Sequence, residues 1–294
     1  MQIKKILWAS DGSTESVDAV RWAEVFASQY GANVMALSVF ETANLNPFAI
    51  PGNLRRQISL KDSQITKKET MRLAQITNAL ERKGVKAETR VARGIPHQEI
   101  IKTAHNRSID LIVMGKTGTT PWRTMLFGST TSAVIRETHV PVLTVRRTTS
   151  NIAVKRILFP TAFSPSEKLA LAWAVEFART FDAALVLLNV IEVHKSYGAV
   201  KGGFIGRLRA SAGKELRNMV EALPMQKSKG VALVEKVTVF PRAWSGIVKF
   251  VRDQDIDVIV MSTHARKGVA KLFLGSVAEN VIREAPCPVI TVRP

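Results

Sequence analysis

The sequence predicts an α/β protein built as two tandem doubly wound domains, each a five-stranded parallel sheet with helices on both faces. Three observations carry that reading. The 294-residue chain repeats itself at an offset of 151 residues in its first block and 147 in all later ones. Within each half, short continuous apolar runs alternate with amphipathic helical patterns, the signature of strands buried on both faces by crossover helices. The fourth apolar run of the first half leads into a glycine-containing loop, at the sheet edge where open α/β folds place their ligands.

The repeat is legible block by block. Lys5-Ile6-Leu7-Trp8 answers Arg156-Ile157-Leu158-Phe159, and Ile109-Asp110-Leu111-Ile112-Val113-Met114 answers Ile256-Asp257-Val258-Ile259-Val260-Met261. Leu126-Phe127-Gly128-Ser129 answers Phe273-Leu274-Gly275-Ser276, and Val140-Pro141-Val142-Leu143-Thr144-Val145-Arg146 answers Cys287-Pro288-Val289-Ile290-Thr291-Val292-Arg293. A unit this long is a duplicated domain rather than a solenoid turn. The domains are expected at residues 1–147 and 152–294, with the polar residues around 147–151 as the linker.

In the first copy, strands are expected near residues 4–10, 33–40, 86–91, 110–114 and 141–146. The helix over residues 13–30 carries Val17, Val20, Ala23 and Phe26 on one face, has Ser13 as its N-cap and stops at Gly31. The second copy repeats the pattern, with strands near 155–160, 184–190, 231–239, 257–262 and 288–293. Trp22 and Trp173 take the same place in the first helix of each copy, a spacing that points to core packing rather than ligand stacking.

Composition narrows the class. Hydrophobic residues make up 46% and charged residues 22%, the proportions of a globular chain rather than a disordered one. No apolar run approaches the roughly 18 residues of a membrane span, and the apolar run that ends at Asp11 is too short for a signal peptide. The cytoplasm is therefore the expected compartment. The single cysteine, Cys287, cannot form an internal disulfide and reads as a buried structural thiol. The net charge is +18, and each half holds 21 basic and 12 acidic residues, a net +9. So even an excess favours anionic partners in general and no basic tail in particular.

The chemistry gathers after the first and fourth strands. Asp11 follows strand one, where a carboxylate suits a ribose hydroxyl or a Mg²⁺ ion, or else a turn or cap for the first helix. After Met114 come Gly115-Lys116-Thr117-Gly118, nine further residues, then Gly128-Ser129-Thr130-Thr131 opening the last helix. Two early glycines let backbone approach a ligand. The helix N-terminus, with the hydroxyls of Ser129, Thr130 and Thr131, forms a phosphate cradle. The plain alternative is a turn followed by a helix cap. The spacing is not that of a P-loop, because no Gly-Lys-Ser/Thr triplet opens the helix. In the second copy Ser262 stands for Gly115, Ala265 for Gly118 and Ala162 for Asp11, whereas Gly275-Ser276 remains.

On these residues the chain resembles the universal stress protein family in its tandem form. The glycine spacing, the Pro-Val-Leu-Thr-Val-Arg ending and the first-strand pattern carry the resemblance over nearly the whole chain. It implies an adenine nucleotide alpha hydrolase-like fold and a site for ATP or another adenine nucleotide, with or without Mg²⁺. It places the base against Ala9 and Val39, an acidic group at Asp11, and ribose and phosphates against Met114, Gly115, Gly118, Gly128, Ser129 and Thr131. It implies a weak or silent second site, and copies that dock through their last strands around a pseudo-two-fold axis, with a homodimer as a further expectation. The functional expectation is a stress-response regulatory module that binds nucleotide without efficient turnover. The alternatives are a slow ATPase or self-phosphorylating enzyme, and a nucleotide-independent protein that binds an anionic partner. Lys116 and Arg123 are candidate phosphate contacts, and the basic stretch containing Lys61, Lys67, Lys68 and Arg72 is a solvated helix face or an anion surface. No residue is singled out as catalytic or metal-ligating: the histidines lack ligand spacing, and no nucleophile elbow appears.

Overall fold

The structure is a computed structural model, and it describes residues 2–41, 52–117, 128–146, 152–193, 202–223, 230–263 and 274–294. Gly118, Arg123 and the expected linker at 147–151 lie outside the described residues.

The first repeat runs β1 (Lys5–Ala9), α1 (Thr14–Tyr30), β2 (Asn33–Phe40), α2 (Gly52–Glu81), β3 (Ala87–Arg93), α3 (Pro96–Asn106), β4 (Leu111–Gly115), α4 (Ser129–Glu137) and β5 (Val142–Val145). The second runs β6 (Arg156–Thr161), a 3₁₀ turn (Pro165–Glu167), α5 (Lys168–Thr180), β7 (Ala184–Glu192), α6 (Gly202–Glu221), β8 (Leu233–Phe240), α7 (Ala243–Asp253), β9 (Val258–Ser262), α8 (Ser276–Glu284) and β10 (Val289–Val292). Local chemistry sets these bounds. Ser13 caps α1 by accepting a hydrogen bond from the Ser16 backbone N–H, and Gly31 ends the helix in the left-handed region at φ 65°.

The strands join into one ten-stranded sheet ordered β3-β2-β1-β4-β5-β10-β9-β6-β7-β8. Each half is parallel, and the halves meet where β5 and β10 pair antiparallel. Leu143 faces Ile290 at the centre of that ladder, and the two residues are one repeat offset apart. The pseudo-two-fold axis therefore passes through this pair. Around it, Thr144 donates its hydroxyl to the Val289 carbonyl and Thr291 donates to the Val142 carbonyl.

Alternation along the strands produces two cores. Ile6, Trp8, Val34, Ala36, Leu111 and Val113 pack toward α1 and α2, and on this side the core runs unbroken into the second repeat. Phe26 of α1 meets Phe177 and Phe181 edge-on, at centroid distances of 5.4 and 5.0 Å. Trp22 and Trp173 are both buried in this core, as their spacing predicts. On the other side, Leu7, Ala9, Met35, Leu37, Ile112 and Met114 pack toward α3 and α4. The sheet reverses its strand order between β1 and β4, so the mouth between their C-terminal ends is the crevice available to a ligand.

Candidate functional site

The described members of the expected set in the first repeat, Gly118 excluded, lie around that mouth. Ala9 and Met114 are register partners at the ends of β1 and β4. Val39, on β2, packs against the same buried face. The loop after β4 is closed by backbone: Lys116 N–H donates to the Val145 carbonyl, and Gly128 N–H returns to the Lys116 carbonyl at 3.2 Å. Thr131 is buried and donates its hydroxyl to the Gly115 carbonyl at 3.0 Å, seating α4 on the end of β4. Gly128 caps α4 without a side-chain hydrogen bond, Ser129 is exposed and Thr130 half-buried. The first amides of α4 thus face the mouth with the positive end of the helix dipole behind them.

Two readings change their physical reason. Gly115 was expected to lack a side chain so that a ligand could approach. A Cβ there would instead lie 2.9 Å from the backbone nitrogen of Ser16 and 3.2 Å from the Glu15 Cβ. Its bareness admits the first turn of α1, and the close approach is helix to strand. Lys116 is likewise no phosphate contact in this arrangement. It is buried, and its ammonium donates to the Arg283 carbonyl in the last turn of α8, across the junction between repeats. Desolvation, helped by the Arg146 charge, holds it down at about 8. The repeat-equivalent acceptor, the Arg136 carbonyl near the end of α4, is also met by a cation of the other repeat, Arg293, although Arg293 is the equivalent of Arg146 and not of Lys116. Both contacts set a cation from one repeat against a helix C-terminus of the other.

Asp11 is exposed at the turn into α1, where its Oδ1 accepts from the Ser13 N–H at 3.0 Å. The carboxylate braces the turn and still presents its edge to solvent at the mouth. Among the described residues no group of three or more His, Cys, Asp or Glu is arranged to hold a metal ion. A single carboxylate such as Asp11 fits a Mg²⁺ ion only where phosphates supply further oxygens.

Three residues beside the mouth were not recognised from sequence. Glu15 accepts both the backbone N–H and the hydroxyl of Thr117. Arg72, counted with the basic helix face, turns inward to donate to Ser10 Oγ, and its guanidinium lies 3.8 Å from where a Cβ on Gly12 would stand. Glu69 gathers it there through two hydrogen bonds and accepts a third from Ser38, contacts that lower the Glu69 pKa although burial opposes them. The only available signal was an acid at the third position from Arg72 along a helix.

In the second repeat the equivalent mouth is an open cavity of about 630 Å³ between the ends of β6, β7 and β9 and the start of α8. Glu167 takes the place of Ser16. Its buried carboxylate accepts from Thr161 Oγ1 at 2.6 Å and from the Ala162 N–H at 3.0 Å. The Gly275 N–H still returns to the Thr263 carbonyl, matching Gly128 and Lys116. The loop closure therefore survived duplication, while the groups around the mouth changed.

Comparison with known proteins agrees with this duplicated frame. A model of the universal stress protein family matches the chain twice, at residues 2–146 and 153–293. The chain belongs to that family. Universal stress protein MJ0531 of Methanocaldococcus jannaschii is 34% identical over 146 residues, covering 49% of this chain and 82% of its relative. MJ0577 of the same organism is 30% identical over 157 residues, covering 50% and 97%, and YxiE of Bacillus subtilis is 33% identical over 147 residues, covering 48% and 98%. Each thus answers to about one repeat. Over the whole chain, a universal stress protein structure from Archaeoglobus fulgidus superposes with a TM-score of 0.70, covering 99% of this chain and 97% of its own at 22% identity. The tandem α/β fold read from sequence is the fold observed.

Proposed function

We propose that this tandem universal stress protein binds an adenine nucleotide, ATP in the first instance, at the mouth of its first repeat, and acts in the cytoplasm as a regulatory module rather than an efficient enzyme. One observation carries the reading: the N-terminus of α4, uncapped by any described side chain, opens beside the exposed Asp11 carboxylate and the apolar floor of Ala9, Val39 and Met114. Apolar surface suits the base and Asp11 suits a ribose hydroxyl. The amides of Ser129 and Thr130 with their hydroxyls suit phosphate. Gly118 belongs to the same expected set. A Mg²⁺ ion carried with the phosphates would take Asp11 as its protein ligand. Asp11, the described carboxylate beside that terminus, is assigned to the ribose or the metal rather than to activating water, which favours binding over turnover. Occupancy would then act by shifting a conformational or partner-binding equilibrium.

Isothermal titration with ATP tests this. One site per chain is expected in the wild type and none in Thr130→Asp. An acidic residue in the first turn supports the helix while repelling phosphate, so the variant should remain folded. Undiminished binding by Thr130→Asp, or no binding by the nucleotide-free wild type, would reject the assignment.

A further inference from the structure

We propose that the second repeat holds a binding site of its own, for a small unphosphorylated molecule with an apolar body and a hydrogen-bond-donating head. The cavity of about 630 Å³ is within the range of small-molecule sites, roughly 300–1,000 Å³. Its wall is apolar at three positions where the first repeat is polar. Val277 and Ala278 stand where the first repeat has Thr130 and Thr131, and Ala162 where it has Asp11. Leu188, Ile247 and Met261 extend the apolar lining toward the sheet.

The acidic groups are also placed differently. Two carboxylates, Glu167 and Glu192, line the cavity, and no Lys, Arg or His does so among the described residues. Glu192 lies at the exposed rim and accepts from the Ala243 N–H at the start of α7. Glu167 lies inside, anchored by Thr161 and the Ala162 and Ser164 backbone, with acceptor capacity left on the carboxylate. A phosphate brought here would face a desolvated carboxylate of like charge. A hydroxyl or N–H donor would gain a charge-assisted hydrogen bond with its apolar body removed from water. Loss of the nucleotide-type residues therefore left a site of different selectivity rather than a filled one. The inference rests on the second repeat alone and stands or falls separately from ATP binding in the first.

The test uses the full chain and two fluorescent probes of similar shape. N-phenyl-1-naphthylamine is uncharged with one N–H donor, and 8-anilinonaphthalene-1-sulfonate adds an anionic group. The uncharged probe is expected to saturate at one site per chain and to resist displacement by excess ATP. Ala162→Trp, at the exposed mouth, should weaken it by about ten-fold or more. Val277→Glu adds an acid that the α8 N-terminus tolerates, and should weaken it similarly, which guards against misfolding of the first variant. The sulfonate component sensitive to these variants should be about ten-fold weaker than the uncharged probe. Uncharged-probe binding unaffected by both variants, displacement by ATP, or equal affinity for the sulfonate would overturn the proposal.

Discussion

A single oxygen of Glu15, Oε2, accepts two hydrogen bonds from Thr117, one from the backbone nitrogen at 2.7 Å and one from the hydroxyl at 2.6 Å. The first turn of α1 thereby holds the start of the glycine loop, 102 residues away in the chain. The same turn lies against Gly115. Strand end, loop and helix start form one rigid corner of the mouth. Glu15→Ala should lower stability by about 1–3 kcal/mol, the range for charge-assisted hydrogen bonds, and weaken ATP by about ten-fold through a loosened loop. Urea denaturation and ATP titration of the same preparations check both. An unchanged ATP affinity would show that the corner does not position the site.

Gly115→Ala separates two reasons for one glycine. Because the new methyl would meet α1 backbone at 2.9 Å, the nucleotide-free variant should be destabilised by about 1–3 kcal/mol, as for an overpacked core. A glycine kept only for ligand clearance would leave that stability untouched. Thermal or urea unfolding without nucleotide decides between the two.

Lys116 makes stability depend on pH. Its folded value, about 8, is below the ordinary 10.5. Below pH 8 it is charged in both states, and folding bears the cost of burying it. Between pH 8 and 10.5 the folded chain has released a proton that the unfolded chain keeps, so this contribution makes stability rise with pH. Relative to Lys116→Met, the wild type should gain up to about 2 kcal/mol between pH 7 and 9.5. Paired urea midpoints at the two pH values measure it, and a parallel response of the two proteins would exclude the effect.

Cys287 should react slowly with thiol reagents. It is half-buried rather than fully buried as expected, packed against the core on the α8 side, and desolvation raises its pKa to about 12, so little thiolate exists at pH 8. In urea the rate should rise by about a hundred-fold or more as the thiol returns to its ordinary range. Fast labelling of the folded chain would show a more open approach to β10 than the structure has.

Much of the architecture was legible because buried parallel strands write themselves as continuous apolar runs and duplication wrote them twice. The N-cap at Ser13, the stop at Gly31 and the burial of Trp22 follow from local pattern and hold in three dimensions. The mouth was legible as a place, since glycines and hydroxyls after strand four had to meet the end of strand one. Roles were less legible. Gly115 looks the same in sequence whether its missing side chain admits a phosphate or a helix. Arg72 looks the same whether its guanidinium meets water or Ser10.

By itself, then, the sequence determined the duplication, the strand and helix order and the edge of the sheet at which a ligand would sit, because these depend on periodicity and short-range chemistry. Tertiary structure alone decided the register of the last strands, with Leu143 opposite Ile290, and that Lys116 would reach Arg283 rather than a phosphate. It also decided that Glu167 and Glu192 would be among the described residues lining the second mouth. Those outcomes depend on which surfaces approach within a few ångströms after folding, and residues more than a hundred positions apart leave no periodic trace of that approach in the chain.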